Sequence, residues 1–205
     1  MVYEPGNNRS TNEIDNLISL LARLPGFGRR SARRAVLHML NKREILMEPI
    51  SHLLADVCKK VHTCNNCGNI TILNDCFICS DEKRDRTKLC IVSDVSDLWA
   101  MERVSIFKGR FYVLGGLLSA LDGVGPETLR IPFLVDRIKN EGVREVILAL
   151  SATINGQTTA HYIADQININ DVEITSLAHG VPIGADLDYL DEGTIEVALK
   201  GRKTF

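Results

Sequence analysis

The stretch CNNCGNITILNDCFIC, residues 64–79, holds two Cys-x2-Cys pairs separated by eight residues. Two such knuckles can each give two thiolates to one tetrahedral ion, and zinc is the usual occupant of a four-cysteine set. Four unrelated core thiols, or a redox-active pair, are the alternatives; the doubled pairing favours metal. With Cys64, Cys67, Cys76 and Cys79 all committed, no coordination position is left for water. The expected zinc ion is therefore structural rather than catalytic. It would organise a short segment with too little core to fold alone. His62 is adjacent but surplus to a four-sulfur site. Cys58 and Cys90 lie on apolar stripes and are expected in the core.

The sequence changes texture across this stretch. On the N-terminal side the apolar period is helical. Ser10 and Glu13 have capping-box spacing, and Ile14, Leu17, Ile18 and Leu21 share one face up to about Arg23. Pro25-Gly26 ends that helix. A second begins near Arg29, with Ala32, Ala35, Val36, Met39 and Leu40 as its buried stripe. A third opens at Pro49, a residue suited to a first helical turn, and should turn Ile50, Leu53, Leu54 and Val57 inward. Residues 10–61 thus form a small helical unit.

On the C-terminal side the charged run DEKRDRTK (81–88) reads as a linker or solvated turn. Strands and helices then alternate: LCIV, DVSDLWAMERV, FYVLGG, PETLRIPFLVDRIKNEG (irregular near Pro132), REVILAL, TTAHYIADQI and VEITSLA. Four strands alternating with three helices imply a mainly parallel sheet covered on both faces. The Gly-rich, acidic tail after Gly180 has no clear assignment from pattern alone.

Size and charge narrow the function. The chain has 205 residues, 45% hydrophobic and 24% charged, an ordinary globular composition. Aromatic residues are only 5%, too few for a stacking platform for single-stranded nucleic acid. No apolar run approaches the roughly 18 residues of a membrane span, and MVYEPGNNRST lacks a signal-peptide pattern. The expectation is a cytoplasmic protein without a membrane partner. The formal net charge of −2 hides an asymmetry. Residues 16–43 carry seven cations (Arg23, Arg29, Arg30, Arg33, Arg34, Lys42, Arg43) and no acid. Such concentration is the footprint of a polyanionic partner.

The core of that basic segment is LPGFGRRSARRAVLHML, residues 24–40. Helix, LPGFG, helix is the pattern of a helix-hairpin-helix turn. Gly26 and Gly28 allow backbone shapes and a close approach that side chains would block. The amides of the turn and of the next helix's first turn then form an anion cradle, assisted by the helix dipole. Arg29 and Arg30 flank it; Arg33 and Arg34 follow one turn later. Contacts of this kind meet phosphates rather than base edges and carry no sequence choice. The plainer alternative is a helical corner with a solvated basic face.

Leu-Pro-Gly-x-Gly, then the paired Cys-x2-Cys motifs, then an alternating α/β region resembles the bacterial recombination mediator family RecR. LDGVGP (121–126) and AHGVPIG (178–184) are similar to further segments of that family, and the resemblance spans roughly residues 10–203. It implies a multidomain α/β architecture: a helix-hairpin-helix DNA-binding domain (1–57), a four-cysteine zinc finger (58–83), a Toprim-like domain (84–183) and a C-terminal segment (184–205) engaged in subunit contacts. It also implies homodimers or homotetramers that close as a ring around DNA. RecO and RecF are the implied partners, and the implied task is to help load RecA at gapped or single-stranded DNA. By the same analogy Arg30 and Arg34 face DNA, while Arg29 stands where relatives often carry proline.

Toprim enzymes use a glutamate at the end of the first strand and an Asp-x-Asp after a later one, because phosphoryl transfer needs metal-clamped oxygen charge. Here Ser93 stands at the glutamate position, with Asp94 next to it. Ser151 and Thr153 occupy the Asp-x-Asp places. A structural role in caps and turns is expected for Asp94, Asp97 and Asp122. The alternative is a Toprim-type metal-dependent nuclease or a primase-like enzyme using Asp94. No phosphate-binding G-x-x-x-x-G-K-[ST] loop occurs, so the acidic LDYLDEGT near the C-terminus reads as a segment that covers a neighbouring subunit or packs on its own domain, a metal-binding acidic motif being the alternative.

Overall fold

The computed structural model describes residues 13–74, 76–167, 172–178 and 180–202. These fall into two compact units, one ending at Lys60 and the other beginning at Val61.

The first unit is helical: α1 (Glu13–Leu21), α2 (Arg29–Asn41), a π-helical turn (Arg43–Met47) and α3 (Glu48–Lys60). Its core is Ile18 against Ala32 and Val36, enclosed by Leu17, Leu21, Phe27, Met39 and Leu40. The apolar stripes of α1 and α2 therefore meet as their spacing predicts, except that Ile14, at the start of α1, is exposed. Ser10, the expected cap, lies outside the described residues. The third helix forms, but its stripe does not turn inward. Ile50, Leu53, Leu54 and Val57 are all exposed, Leu53 at 64% and Leu54 at 66%. Cys58 is exposed as well. Two short helices close this small core between themselves, and α3 packs chiefly on the π-helical turn. Periodicity identifies an apolar face but not what covers it.

The second unit begins with a two-stranded antiparallel ribbon, β1 (His62–Thr63) and β2 (Ile70–Thr71), and a one-turn helix α4 (Phe77–Ser80). Then come β3 (Asp85–Val92), α5 (Val95–Val104), β4 (Gly109–Val113), α6 (Ile131–Glu141), β5 (Glu145–Ala149), α7 (Ile154–Ile167) and β6 (Glu173–Ser176). The sheet is parallel throughout, in the order β4-β3-β5-β6. A 3-10 turn (Leu187–Tyr189) and α8 (Glu192–Lys200), capped by Asp191, form the tail that pattern alone left unassigned.

Alternate residues of the central strands divide between two cores, as a doubly covered parallel sheet requires. Leu89, Ile91, Tyr112, Val146 and Leu148 face α6 and α7. Cys90, Val92, Phe111, Val113 and Ala149 face the other way, into a core shared by Leu98 of α5 with Cys64, Cys67, Cys76 and Ile78. The cysteine segment is thus one of the layers covering the sheet. Two sequence boundaries also move. The solvated turn ends at Arg84, because Asp85–Lys88 already belong to β3: Asp85 N–H donates to Lys108 O at 2.9 Å while most of these side chains stay in solvent. Pro132 lies in the first turn of α6, where its missing N–H costs nothing, instead of interrupting a helix.

Candidate functional site

The four predicted ligands converge. The Sγ atoms of Cys64, Cys67, Cys76 and Cys79 all lie within 4.8 Å of one another and can hold one metal ion. Cys67 and Cys76 are 3.7 Å apart and Cys64 and Cys79 3.9 Å, so each close pair joins the two knuckles. Burial pushes the Cys64 thiol above its ordinary value. Four thiolates this close need a cation to offset their mutual repulsion.

The first knuckle folds as it does because of Gly68. Its φ of +79° is a left-handed conformation that suits glycine. A Cβ there would also lie 2.9 Å from Val113 O and collide with the Arg130 guanidinium. The loop then closes through Gly68 N–H to Cys64 O (2.8 Å) and Cys64 N–H to Asn69 O (2.7 Å). Two arginines dock the knuckle on the sheet. Arg130 donates to the carbonyls of Cys64 and Asn65. Arg137 donates to Asn66 O (3.0 Å) and Phe111 O (3.1 Å), and pairs with Glu141 at 3.1 Å. Both guanidinium groups stand over the Tyr112 ring, 5.2 and 5.9 Å from its centre. From below, Val113 N–H donates to Cys67 O at 2.7 Å.

The three places that the resemblance assigns to Toprim carboxylates, Ser93, Ser151 and Thr153, sit with Asp94 just beyond the carboxyl ends of the two adjacent central strands, β3 and β5. This is where the strand order reverses and where open α/β sheets place ligands. Their polar atoms are engaged locally. The Ser93 hydroxyl donates to Asp97 Oδ2. Asp94 Oδ1 accepts from the backbone and hydroxyl of Ser96, both at 2.6 Å, and Asp97 completes a capping box for α5. The hydroxyl and amide of Ser96, then the Asp97 amide, hold the Asp94 carboxyl below the usual carboxylate range. Ser151 Oγ lies 2.8 Å from Thr153 Oγ1, which accepts from Gly156 N–H at the start of α7 (3.2 Å). Asp122 accepts from Ser119 Oγ at 2.6 Å within a turn.

In the helical unit, Gly26 has φ +74°, the left-handed turn that the hairpin needs. Gly28 precedes α2 with extended backbone (φ −70°, ψ 161°) and supplies no side-chain cap. Nothing lies within 4 Å of where a Cβ on either glycine would be. No acid stands in the first turn of α2. Arg29, Arg30, Arg33 and Arg34 are all exposed, and among the described residues none forms an ion pair. Amides without a side-chain cap and arginines without counter-ions thus share one end of one helix.

Residues 14–58 match the RecR helix-hairpin-helix family, residues 87–178 the Toprim domain and residues 180–203 the RecR C-terminal family. The recombination protein RecR of Ruegeria pomeroyi is 60% identical over 194 residues, covering 95% of this chain and 98% of that protein. The RecR of a second Ruegeria is 58% identical over 195 residues, with the same coverage. That of Brucella anthropi is 54% identical over 192 residues, covering 94% of this chain and 96% of the relative. The chain belongs to the RecR family.

RecR membership accords with recombinational repair, and the four-cysteine centre falls between two of the matched regions. Among the described residues no helix is long and apolar enough to cross a membrane. Residue-type reasoning missed the parts that hold this RecR-family centre in place. Arg130 and Arg137 are separated from the knuckle by more than sixty positions, and no local pattern marks them. Asn69, fully buried, had no signal beyond its place after a Cys-x2-Cys-Gly. Cys90 is in the core as expected, its thiol pushed up to about 12 by burial, and is not part of the metal cluster.

Proposed function

We propose that this chain is a non-enzymatic DNA clamp of recombinational repair whose four cysteines hold a structural zinc ion. In this reading it acts in the cytoplasm as a homodimer or homotetrameric ring, with RecO and RecF, to help load RecA at gapped or single-stranded DNA. The observation that carries the DNA half is the start of α2. Among the described residues, no acid stands in its first turn and Arg29, Arg30, Arg33 and Arg34 form no ion pair. DNA phosphates satisfy its amides and these arginines alike, with Gly26 and Gly28 leaving the backbone approachable. A single hairpin makes few contacts, so joining several in one assembly multiplies affinity. RecO, RecF and RecA enter through family membership alone.

The donor chemistry supports zinc. Zinc–sulfur bonds of about 2.3 Å in a tetrahedron put sulfurs about 3.8 Å apart, close to the 3.7 and 3.9 Å of the two near pairs. With all four positions taken by sulfur, the ion supplies cross-linking and not chemistry. The hydroxyls at Ser93, Ser151 and Thr153, and the use of Asp94 Oδ1 as the cap of α5, argue against the nuclease alternative, since hydroxyls are poor clamps for a catalytic cation.

The deciding experiment is the double substitution Arg30→Glu and Arg34→Glu. Sequence-indifferent, steeply salt-dependent DNA binding should disappear while the melting temperature and zinc content stay at wild-type values. Undiminished binding would remove the hairpin from the interface. Incubation of the wild type with DNA and Mg²⁺ or Mn²⁺ should leave the DNA intact; cleavage abolished by Asp94→Ala would establish the enzyme instead.

A further inference from the structure

Asn69 is a fully buried polar side chain that the four-sulfur site does not itself require. Its Nδ2 lies 3.6 Å from Cys76 Sγ, in the second knuckle. Its Oδ1 accepts from Trp99 Nε1 of α5 at 3.0 Å. Its backbone carbonyl accepts from Cys64 N–H of the first knuckle at 2.7 Å. One residue therefore touches both knuckles and the Toprim-like layer.

The direction of this chain of bonds is fixed by chemistry. An indole nitrogen can only donate, so the amide must present its oxygen to Trp99. The NH₂ group is then committed to the sulfur. An N–H donor suits a thiolate, the form a metal-bound cysteine takes, because a lone-pair-rich sulfur accepts better than a thiol. Partners in this second layer commonly orient ligands and tune metal affinity.

We propose that Asn69 is a positioning residue of the metal centre: its amide donates to the Cys76 thiolate and is held in that orientation by Trp99, so that α5 senses whether the site is filled. This rests on the metal reading above. Loss of the ion frees Cys76 to move, Asn69 loses its sulfur partner, and the indole N–H loses a fixed acceptor. Trp99 is the chain's one tryptophan and is 53% exposed, so its emission reports that event without a label. α5 is also the helix capped by Asp94 and Asp97 beside Ser93, the place that the resemblance assigns to a Toprim glutamate. Metal occupancy is thereby linked to the crevice at the end of β3.

The test uses the full chain loaded with Zn²⁺, and separately with Co²⁺, in wild type and in Asn69→Leu, Asn69→Asp and Trp99→Phe. Asp is nearly isosteric and still accepts from Trp99 but cannot donate to sulfur. Zinc transfer to a chromogenic chelator should be ~10-fold or more faster in both Asn69 variants and faster by a smaller factor in Trp99→Phe. Removing a hydrogen bond from sulfur raises its lone-pair energy. The sulfur-to-cobalt charge-transfer band should therefore move to longer wavelength in Asn69→Leu. Trp99 emission should change on metal removal in the wild type and not in Asn69→Leu. If Asn69→Leu fails to fold, Trp99→Phe and Asn69→Asp carry the same comparison. One ion per wild-type chain with unchanged release and spectra in the variants overturns the role of Asn69 and leaves the metal site standing. No bound ion in the wild type overturns both.

Discussion

Two sets of arginines stand in contrast, Arg84 and Arg137 in the second unit and Arg29, Arg30, Arg33 and Arg34 in the helical one, where Arg43 alone is ion-paired among the described residues, with Glu48. In the second unit Arg84 pairs with Glu102 at 2.6 Å and donates to Gly109 O; Arg137 is 8% exposed and bonded to two carbonyls and a carboxylate. In the helical unit Arg29, Arg30, Arg33 and Arg34 stand in solvent without an ionic partner among the described residues. The same side chain serves opposite ends. A guanidinium bonded to carbonyls and paired with a carboxylate holds a fold together, while one without such partners is available to something outside the chain. Their surroundings differ accordingly. The docked arginines meet carbonyls that a metal knuckle and a strand edge cannot satisfy alone. The bare ones stand at a helix N-terminus, where their charge is unfavourable until an anion arrives.

This division can be broken experimentally. The largest effect is expected from the Arg30→Glu, Arg34→Glu pair. Two lost charge-assisted contacts of about 1.5 kcal/mol each lower DNA affinity roughly 100-fold or more, read by fluorescence anisotropy at fixed salt. Stability to urea should not change. Arg137→Met should do the reverse. Orphaning the Asn66 and Phe111 carbonyls costs about 2–3 kcal/mol of unfolding free energy. DNA affinity of the folded fraction should stay within about twofold of wild type. A substantial binding defect in Arg137→Met would join the two populations into one interface.

Gly26→Ala sharpens the comparison at the hairpin. A Cβ meets nothing there, so the cost is the left-handed φ alone, about 1 kcal/mol in urea titration. A loss of DNA affinity without matching destabilisation would show the DNA approaching that backbone. The smallest expected effect is at Asp94. Asp94→Ala should cost about 1 kcal/mol at pH 7 through the lost α5 cap. Because hydrogen bonds from Ser96 lower the carboxyl's folded value, its contribution is full above the ordinary carboxylate range. It is lost as pH falls through the folded value. The gap between wild type and Asp94→Ala should accordingly be present at pH 7 and 5 and narrow towards pH 3.

Features of the site made by residue spacing were readable from sequence: the two Cys-x2-Cys pairs, the LPGFG turn, the strand ends at Ser93 and Ser151. Features made by residues distant along the chain were not. Arg137 reaches the knuckle across 71 positions, and its helix reads simply as amphipathic. Strand alternation tells which residues share a face, but it cannot say that Cys90 and Val92 rest against a metal-binding loop while Leu89 and Ile91 rest against helices. The α3 stripe failed for a related reason. An apolar period records that a face is to be covered, and Leu53 and Leu54 find no cover within their own unit.

The knuckle's hold on β4 has a consequence for the protein once stripped of metal. β4 is the last strand on its side of the sheet. Three of its backbone groups are met from outside the sheet: Val113 N–H by Cys67 O, Phe111 O by Arg137 and Gly109 O by Arg84. A bare strand margin is a template for pairing with other chains and a route to aggregation. Here a cysteine loop and two guanidinium groups stand guard where another protein would place a charged or shortened strand. Chelation should then cost solubility as well as local order, with the first intermolecular pairing nucleating at Gly109–Val113.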